Sequence, residues 1–278
     1  MASPYPTLPI GRSGLPADQM ALALARQAGR TLRQRFGGPL WVRPKGPRDV
    51  VTEVDYEVER DVLDTLRHEF PGCGLMAEET AREAPSQEWL WVLDPLDGTR
   101  NFVRGIPFFC LTLALVWRGQ PVVGVIYDPL RDEAFHGVLG QGAYLNGTPI
   151  RVSGKEHLAG CLIGCDVSTA DTLGLRTLAL LGRLFPHVMG ARTLGAAALG
   201  FAYAAAGRVD LYFHLRLHPW DVAAGLVIVR EAGGTVTDLQ GNPASFTTQG
   251  FVVGNEPLVR RFLELALGGN AQEDLSSP

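Results

Sequence analysis

The sequence predicts a mixed α and β protein in two halves, an α+β half followed by an α/β half. Three observations predict it. Two amphipathic helical stretches come first. A run of short apolar segments parted by tight-turn residues follows, as in an antiparallel meander. After Asn146-Gly147 strand-like and helix-like segments alternate instead. The expected division is residues 1–150, residues 151–270, and a tail at 271–278.

Met1 to Pro16 carries Pro and Gly but no apolar run of signal length, and reads as a loose segment. Met20, Leu24, Ala28, Leu32 and Phe36 recur at spacings of four, which predicts a helix over 17–36 that Gly37, Gly38 and Pro39 end. Arg43 to Asp49 is expected to be a loop. It holds Lys45, which either moves freely there or approaches a bound phosphate or a metal-bound water. A second helix carries Val54, Val58, Val62, Leu66 and Phe70 on one stripe, closed by Pro71-Gly72.

Strands are expected at 74–77, 89–93, 108–117, 121–127 and 133–138, with turns at 118–120 and 128–132. The second half is expected to alternate. Its strands fall at 161–165, near 190, and at 210–213, 235–238 and 251–254. Its helices fall at 170–185, 195–206, 221–232 and 256–267.

The stretch Trp-Leu-Trp-Val-Leu-Asp-Pro-Leu-Asp-Gly-Thr-Arg-Asn-Phe (89–102) holds the chemistry. Five apolar residues read as a buried strand that stops at Asp94, with Pro95 halting the ladder and Gly98 allowing a tight turn. Asp94 and Asp97 can then point at one spot at the strand's end. Two such carboxylates are costly unless a cation meets them, and clustered oxygens suit a hard ion such as Mg²⁺. An Asx turn with Asp97 capping a short helix explains Asp97 and Gly98 but not Asp94.

Three further acidic positions lie where an apolar element meets a loop. Glu78-Glu79 alone reads as a solvated pair, Asp55 as a first-turn acid, and Asp221 as a helix N-cap. Together with Asp94 and Asp97 they form a set that would repel itself without cations.

Four blocks of this chain, in order, resemble the inositol monophosphatase family of Mg²⁺-dependent, lithium-sensitive sugar-phosphate phosphatases. They are Asp-Val-Val-Thr-Glu-Val-Asp (49–55), Ala-Glu-Glu-Thr (77–80), Asp-Pro-Leu-Asp-Gly-Thr-Arg-Asn-Phe (94–102), and Trp-Asp-Val-Ala-Ala-Gly (220–225) with Glu-Ala-Gly-Gly (231–234). The resemblance runs from the first helix to Leu267. It implies a layered αβαβα fold and two or three Mg²⁺ ions. One ion would take Glu78, Asp94 and the Leu96 carbonyl; a second would take Asp94, Asp97 and Asp221; a third, weaker one would lean on Glu78. Asp55 with Thr99 would orient the attacking water, and Glu78 would help ionise it. Gly98 and Thr99 amides would meet the phosphate if they open a helix. Arg192, His214 and Asp221 would lie near the rest of the substrate.

The resemblance further implies a small phosphorylated metabolite as substrate and a homodimer; the cysteines point to the cytoplasm, and the net charge and the lack of an apolar run of membrane-spanning length to neither a nucleic-acid polymer nor a membrane as partner. Three departures stand out. His214 occupies the place where inositol-hydrolysing relatives usually have Glu, which puts inositol as preferred substrate in doubt. Ala77 replaces the usual Gly, and 166–168 align poorly. Rival readings are fructose-1,6-bisphosphatase, 3′-phosphoadenosine-5′-phosphate phosphatase, histidinol-phosphate phosphatase, or a noncatalytic regulatory binding protein.

Composition sets the remaining bounds. Across 278 residues, 46% are apolar and 19% charged, the profile of a globular protein with ample core. A net charge of −4 argues against nonspecific binding to nucleic acid or anionic membrane. Only Lys45 and Lys155 are lysines among 25 basic residues. Cys73, Cys110, Cys161 and Cys165 form no Cys-x-x-Cys pair and read as reduced, buried thiols. His214 and His218 are four apart but in a loop-like stretch with no third ligand, so a transition-metal pair is not expected. No phosphate-binding P-loop, Gly-x-Ser-x-Gly elbow or His-Glu-x-x-His run is present.

Overall fold

Five layers stack in the order helices, sheet, helices, sheet, helices in the computed structural model, which describes residues 5–80, 88–168 and 170–267. The expected tail at 271–278 lies outside the described residues.

The first layer is α1 (Ala17–Arg35) and α2 (Glu53–Glu69), with a hairpin of β1 (Val42–Gly46) and β2 (Asp49–Thr52) between them. Met20, Leu24, Ala28 and Leu32 from α1 and Val54, Val58, Val62 and Leu66 from α2 are buried, the stripes their spacing predicts. They cover one face of a seven-stranded sheet. Its strands are β3 (Gly74–Ala77), β4 (Trp89–Asp97), β5 (Cys110–Trp117), β6 (Gln120–Asp128), β7 (Glu133–Val138), β8 (Gly142–Leu145) and β9 (Thr148–Pro149), paired in that order. A short helix, α3 (Thr99–Val103), follows β4.

The second sheet has the order β11-β10-β12-β14-β13, from β10 (Leu162–Cys165), β11 (Gly190–Thr193), β12 (Leu211–His214), β13 (Thr235–Thr237) and β14 (Phe251–Gly254). Its outer face packs against α4 (Asp171–Leu184) and α7 (Glu256–Leu267) through Leu180, Leu184, Leu258 and Phe262. Between the sheets lie α5 (Ala197–Ala205) and α6 (Pro219–Glu231). Both are apolar nearly all round, as a helix sandwiched between two sheets must be. Gly124 lets α6 lie flat on β6, since a Cβ there would stand 2.4 Å from the Ala224 carbonyl oxygen.

The structure corrects four expectations. Arg43 to Asp49 is not a loop throughout: it forms most of the β1–β2 hairpin, turning at Arg48 with φ of 60°. Pro95 does not halt β4, which runs on to Asp97 with a register shift between Asp94 and Asp97 that accommodates the missing donor. β3 is parallel to β4, not antiparallel, with Ala77 opposite Leu93. That pairing brings the carboxyl ends of both strands to the same edge, so Glu78 emerges beside Asp94. Finally, α6 starts two residues early, at Pro219, and Asp221 is not its N-cap.

Candidate active site

The carboxylates are placed by strand ends and helix starts. The Glu78 amide donates to the Leu93 carbonyl at 3.2 Å, continuing the β3–β4 ladder one step beyond the strand. Asp94 faces Thr112 across β4–β5, and the Thr112 hydroxyl donates to the Trp220 carbonyl at 2.9 Å. This bond ties the start of α6, and Asp221 with it, to β5 at the position paired with Asp94. The Asp97 Oδ2 accepts the Ala198 amide of α5 at 2.7 Å, so Asp97 serves α5 and not the short helix behind it. Gly98 holds that turn at φ of 93°, where an added Cβ would lie 3.1 Å from the Phe108 carbonyl oxygen.

Glu78, Asp94, Leu96, Asp97, Gly98, Thr99, His214 and Asp221 line one cleft of about 290 Å³. Asp55 stands behind it and reaches it through Thr99, whose hydroxyl lies 3.1 Å from Asp55 Oδ1 and 2.9 Å from the Leu96 carbonyl. The hydroxyl has one proton for these two acceptors. The Asp55 Oδ2 accepts the Thr52 amide at 2.9 Å and the Thr52 hydroxyl at 2.5 Å, a reciprocal box at the start of α2.

Arg192 lies elsewhere. It is exposed on the edge strand β11, donates to the Ala191 carbonyl at 2.9 Å, and does not line the cleft. His214 ends β12, whereas His218 precedes α6 and stacks on Trp220 at 4.9 Å. They belong to different elements. Lys45 reaches over the cleft edge, its Nζ 2.7 Å from Glu78 Oε1 and 2.6 Å from Glu79 Oε1.

Sequence reasoning missed Asp49, Arg100, Asp166 and Arg216, which also line the cleft. Asp166 is buried and accepts the Leu194 amide at 2.7 Å, the Gly195 amide, and the Tyr212 hydroxyl at 2.8 Å. It holds the chain just before α5 against β12. Only its lone acidic character amid apolar residues hinted at this.

Burial and like charge press on the carboxylates. Asp94, 1% exposed, is held well above its ordinary range by burial first and then by Glu78, Asp97 and Asp221. Burial likewise raises Asp221 well above normal, with Glu78 and Asp97 adding to it. Asp97 is pushed up to about 7 and Asp55 to about 6, burial leading in both. For Lys45, burial works against the charged form, but Glu78 and Glu79 outweigh it and hold the ammonium above its usual range. His214 goes the other way: burial lowers it to about 4, so it is neutral at pH 7. Its Nδ1 accepts the Arg216 amide at 3.0 Å, which leaves Nε2 as the N–H donor.

The donor set fits a hard divalent cation. It is all oxygen, largely buried, and carries more negative charge than its surroundings offset. Among the described residues no three His, Cys, Asp or Glu side chains are already drawn into a coordination set. Glu78 is paired with the Lys45 ammonium in this arrangement.

An acid-lined cleft between two sheets of a five-layer αβαβα protein, together with the relatives below, defines a phosphoric monoester hydrolase. The chain belongs to the inositol monophosphatase family, whose model matches residues 16–268. It is 38% identical over 265 residues to the Nus factor SuhB of Escherichia coli (strain K12), covering 94% of this chain and 97% of that protein. It is 41% identical over 247 residues to an inositol-1-monophosphatase of Mesorhizobium japonicum, covering 86% and 92%. Its fold matches the crystal structure of the extragenic suppressor protein suhB of Bartonella henselae with a TM-score of 0.86, at 37% identity, over 90% of this chain and 98% of that one.

Proposed function

We propose that the protein hydrolyses a phosphate monoester of a small polyol, sugar or related metabolite, with two or three Mg²⁺ ions as its cofactor. The observation that carries this is the meeting of Glu78, Asp94, Asp97 and Asp221, from the ends of β3 and β4 and the start of α6, in one cleft. Residues 1–150 supply the first three and Asp55, and residues 151–270 complete the set with Asp221. Glu78, Asp94 and the Leu96 carbonyl would hold one ion; Asp94, Asp97 and Asp221 would hold the second; Glu78 would lean on a third. When bound, the ions supply Lewis acidity: they offset the charge of the phosphate oxygens, acidify a bound water and steady the leaving alkoxide.

The chain's own groups do the rest. The Thr99 hydroxyl, shared between Asp55 and the Leu96 carbonyl, would orient the attacking water together with Asp55. Gly98 and Thr99, which line the cleft at the start of α3, would offer their amides to the phosphate. Glu78 would help ionise the water through the first ion, which it would hold. His214, neutral and donating from Nε2, meets an acceptor on the substrate where a glutamate would meet hydroxyl protons. That disfavours inositol phosphates as the best substrates.

The same reading includes a homodimer in the cytoplasm acting on free metabolites, with neither a nucleic-acid polymer nor a membrane as partner. Net charge of −4 supports the exclusion of polyanions. Exposed Leu175, Leu178, Phe185 and Met189, on α4 and the turn after it, supply apolar surface for self-association. Likeness to a protein called a Nus factor favours a second reading, a regulatory role through partner binding. Phosphate release from a panel of phosphate esters, with and without Mg²⁺, tests the first reading. No release from any ester at saturating Mg²⁺ would leave the regulatory role standing.

A further inference from the structure

Glu59 is a buried acid outside the cleft. It lies on α2 one turn after Asp55, and both residues are 1% exposed. A carboxylate so deep in a protein needs donors. Every hydrogen-bond donor that the described residues give it comes from the turn after β3. Its Oε2 accepts the Glu79 amide at 2.9 Å, and its Oε1 accepts the Thr80 amide at 2.7 Å and the Thr80 hydroxyl.

That turn begins at Glu78. The Glu78 amide donates to the Leu93 carbonyl at 3.2 Å, and the next amides along the chain, of Glu79 and Thr80, go to Glu59. The backbone is thus anchored on both sides of the Glu78 α-carbon, first to the sheet and then to α2. Little freedom is left to carry the Glu78 carboxylate away from Asp94. Lys45 does not supply that constraint. Its ammonium grips the Glu78 and Glu79 carboxylates from an exposed hairpin, and a cation taken up by Glu78 has to displace it or share with it. One buried face of α2 therefore serves the site twice: Asp55 reaches Thr99, and Glu59 reaches the chain behind Glu78.

We propose that Glu59 is a positioning residue. It fixes the backbone that aims Glu78, and so sets how tightly the site holds the divalent cation that Glu78 would share with Asp94. This rests on the reading in which Glu78 is a metal ligand. Two acceptor oxygens are needed, because the donors arrive at both. A glutamine has one such oxygen and turns its NH₂ group towards the remaining backbone N–H, which leaves that amide unmatched in a buried place. Asp94, Asp97 and Asp221 hang on other amides, those of Leu96, Ala198 and His218, so the effect is confined to what Glu78 holds.

The test is a Mg²⁺ titration read by melting temperature, without substrate, on the native chain, Glu59→Gln and Thr80→Val. Val62→Ala is the control, an ordinary core cavity at a position 2% exposed on the same helix. A cation that binds only the folded state raises the melting temperature, and the concentration at which the rise begins follows its affinity. Glu59→Gln should need about five-fold more Mg²⁺ or more for the same rise, and Thr80→Val, which loses only the hydroxyl donor, about two- to three-fold more. Val62→Ala should melt lower throughout, yet respond at the native concentrations. Half-saturating Mg²⁺ for phosphate release should shift in the same order. The role of Glu59 is overturned if Glu59→Gln responds at the native Mg²⁺ concentrations, as the control does. Should Glu59→Gln not fold, Thr80→Val decides alone, and an unshifted curve overturns the role. If the native protein itself shows no response to Mg²⁺, the metal-dependent reading falls and the positioning role falls with it.

Discussion

Asp94→Asn should abolish turnover and, in the absence of metal, make the protein more stable. Asp94 is 1% exposed and its carboxylate is held far above its ordinary range by burial, Glu78, Asp97 and Asp221. Its Oδ1 accepts the Leu96 amide at 2.9 Å, a bond that the carbonyl oxygen of asparagine can keep. The substitution therefore preserves shape and removes one charge from a crowded group. Like charges roughly 5 Å apart repel by about 3 kcal/mol at an effective dielectric of about 20. Partial protonation of the native cluster reduces the gain, to about 1–3 kcal/mol at pH 8. At about 2–4 °C per kcal/mol, the melting temperature in EDTA should rise by several degrees.

The sign with pH follows from the direction of the shift. A carboxylate whose folded pKa is raised costs nothing below its unfolded value; its cost grows as pH climbs from there to the folded value and is constant above it. The stability gained by Asp94→Asn should accordingly be small at pH 5 and larger at pH 8. Scanning calorimetry of both proteins at the two pH values, with EDTA and then with Mg²⁺, measures it, alongside phosphate release. The variant should lose most of the Mg²⁺-induced rise in melting temperature. A variant that is active, that melts below the native protein in EDTA at pH 8, or that gains as much from Mg²⁺ would refute the argument.

Thr99→Ala should cost about 1 kcal/mol of stability, the worth of a typical hydrogen bond, but lower kcat by about 10²-fold or more, while Thr99→Ser restores both. Stopped assays and thermal melts of the three proteins separate the two effects. Asp221→Asn should likewise melt higher in EDTA, because one charge leaves the crowded group while the amide oxygen can still accept the His218 N–H now bonded at 2.7 Å. Its half-maximal Mg²⁺ concentration should rise about ten-fold, since an amide is a poorer ligand for a hard dication. In EDTA the native protein should lose stability as pH rises from about 4 to about 7, where Asp55, Asp97 and Glu79 are ionised in the unfolded chain but, raised to about 6, 7 and 7, still hold protons in the folded one. Buried His214, lowered to about 4, contributes the opposite slope between its folded and unfolded values and partly offsets the decline there. Li⁺ should inhibit phosphate release in a titration at fixed Mg²⁺, and a flat response would count against a family-like product-release step.

Much of the fold was legible because periodicity is a local signal. The stripes of α1 and α2 and the apolar runs of β4 and β5 follow from burial on one or both faces. What local pattern does not encode is pairing. Nothing in Gly74 to Ala77 says that β3 joins β4 in parallel, yet that choice sets Glu78 next to Asp94. The hairpin at 42–52 was hidden by its composition: Arg, Pro and Lys fill β1, all of it exposed, so it carries no hydrophobic alternation.

The carboxylates carry a more general lesson about reading caps and ligands as rivals. At each of Asp55, Asp94, Asp97 and Asp221 one oxygen is fastened by a backbone amide: Thr52 to Asp55 Oδ2, Leu96 to Asp94 Oδ1, Ala198 to Asp97 Oδ2, and His218 to Asp221 Oδ2. Three of these amides belong to helix starts or the residues just before them, where donors are unmatched within the helix. A carboxylate there serves the backbone with one oxygen and has a second one in a fixed direction. For Asp55 the second oxygen meets Thr99, at the wall of the cleft. The structural role is thus what aims the functional one. An acid held by its own chain needs no further ordering when a cation arrives, which keeps the entropic cost of assembling the site low. It also explains why Asp→Asn is the informative substitution at these positions: it retains the oxygen that the fold uses and removes the charge that the chemistry needs.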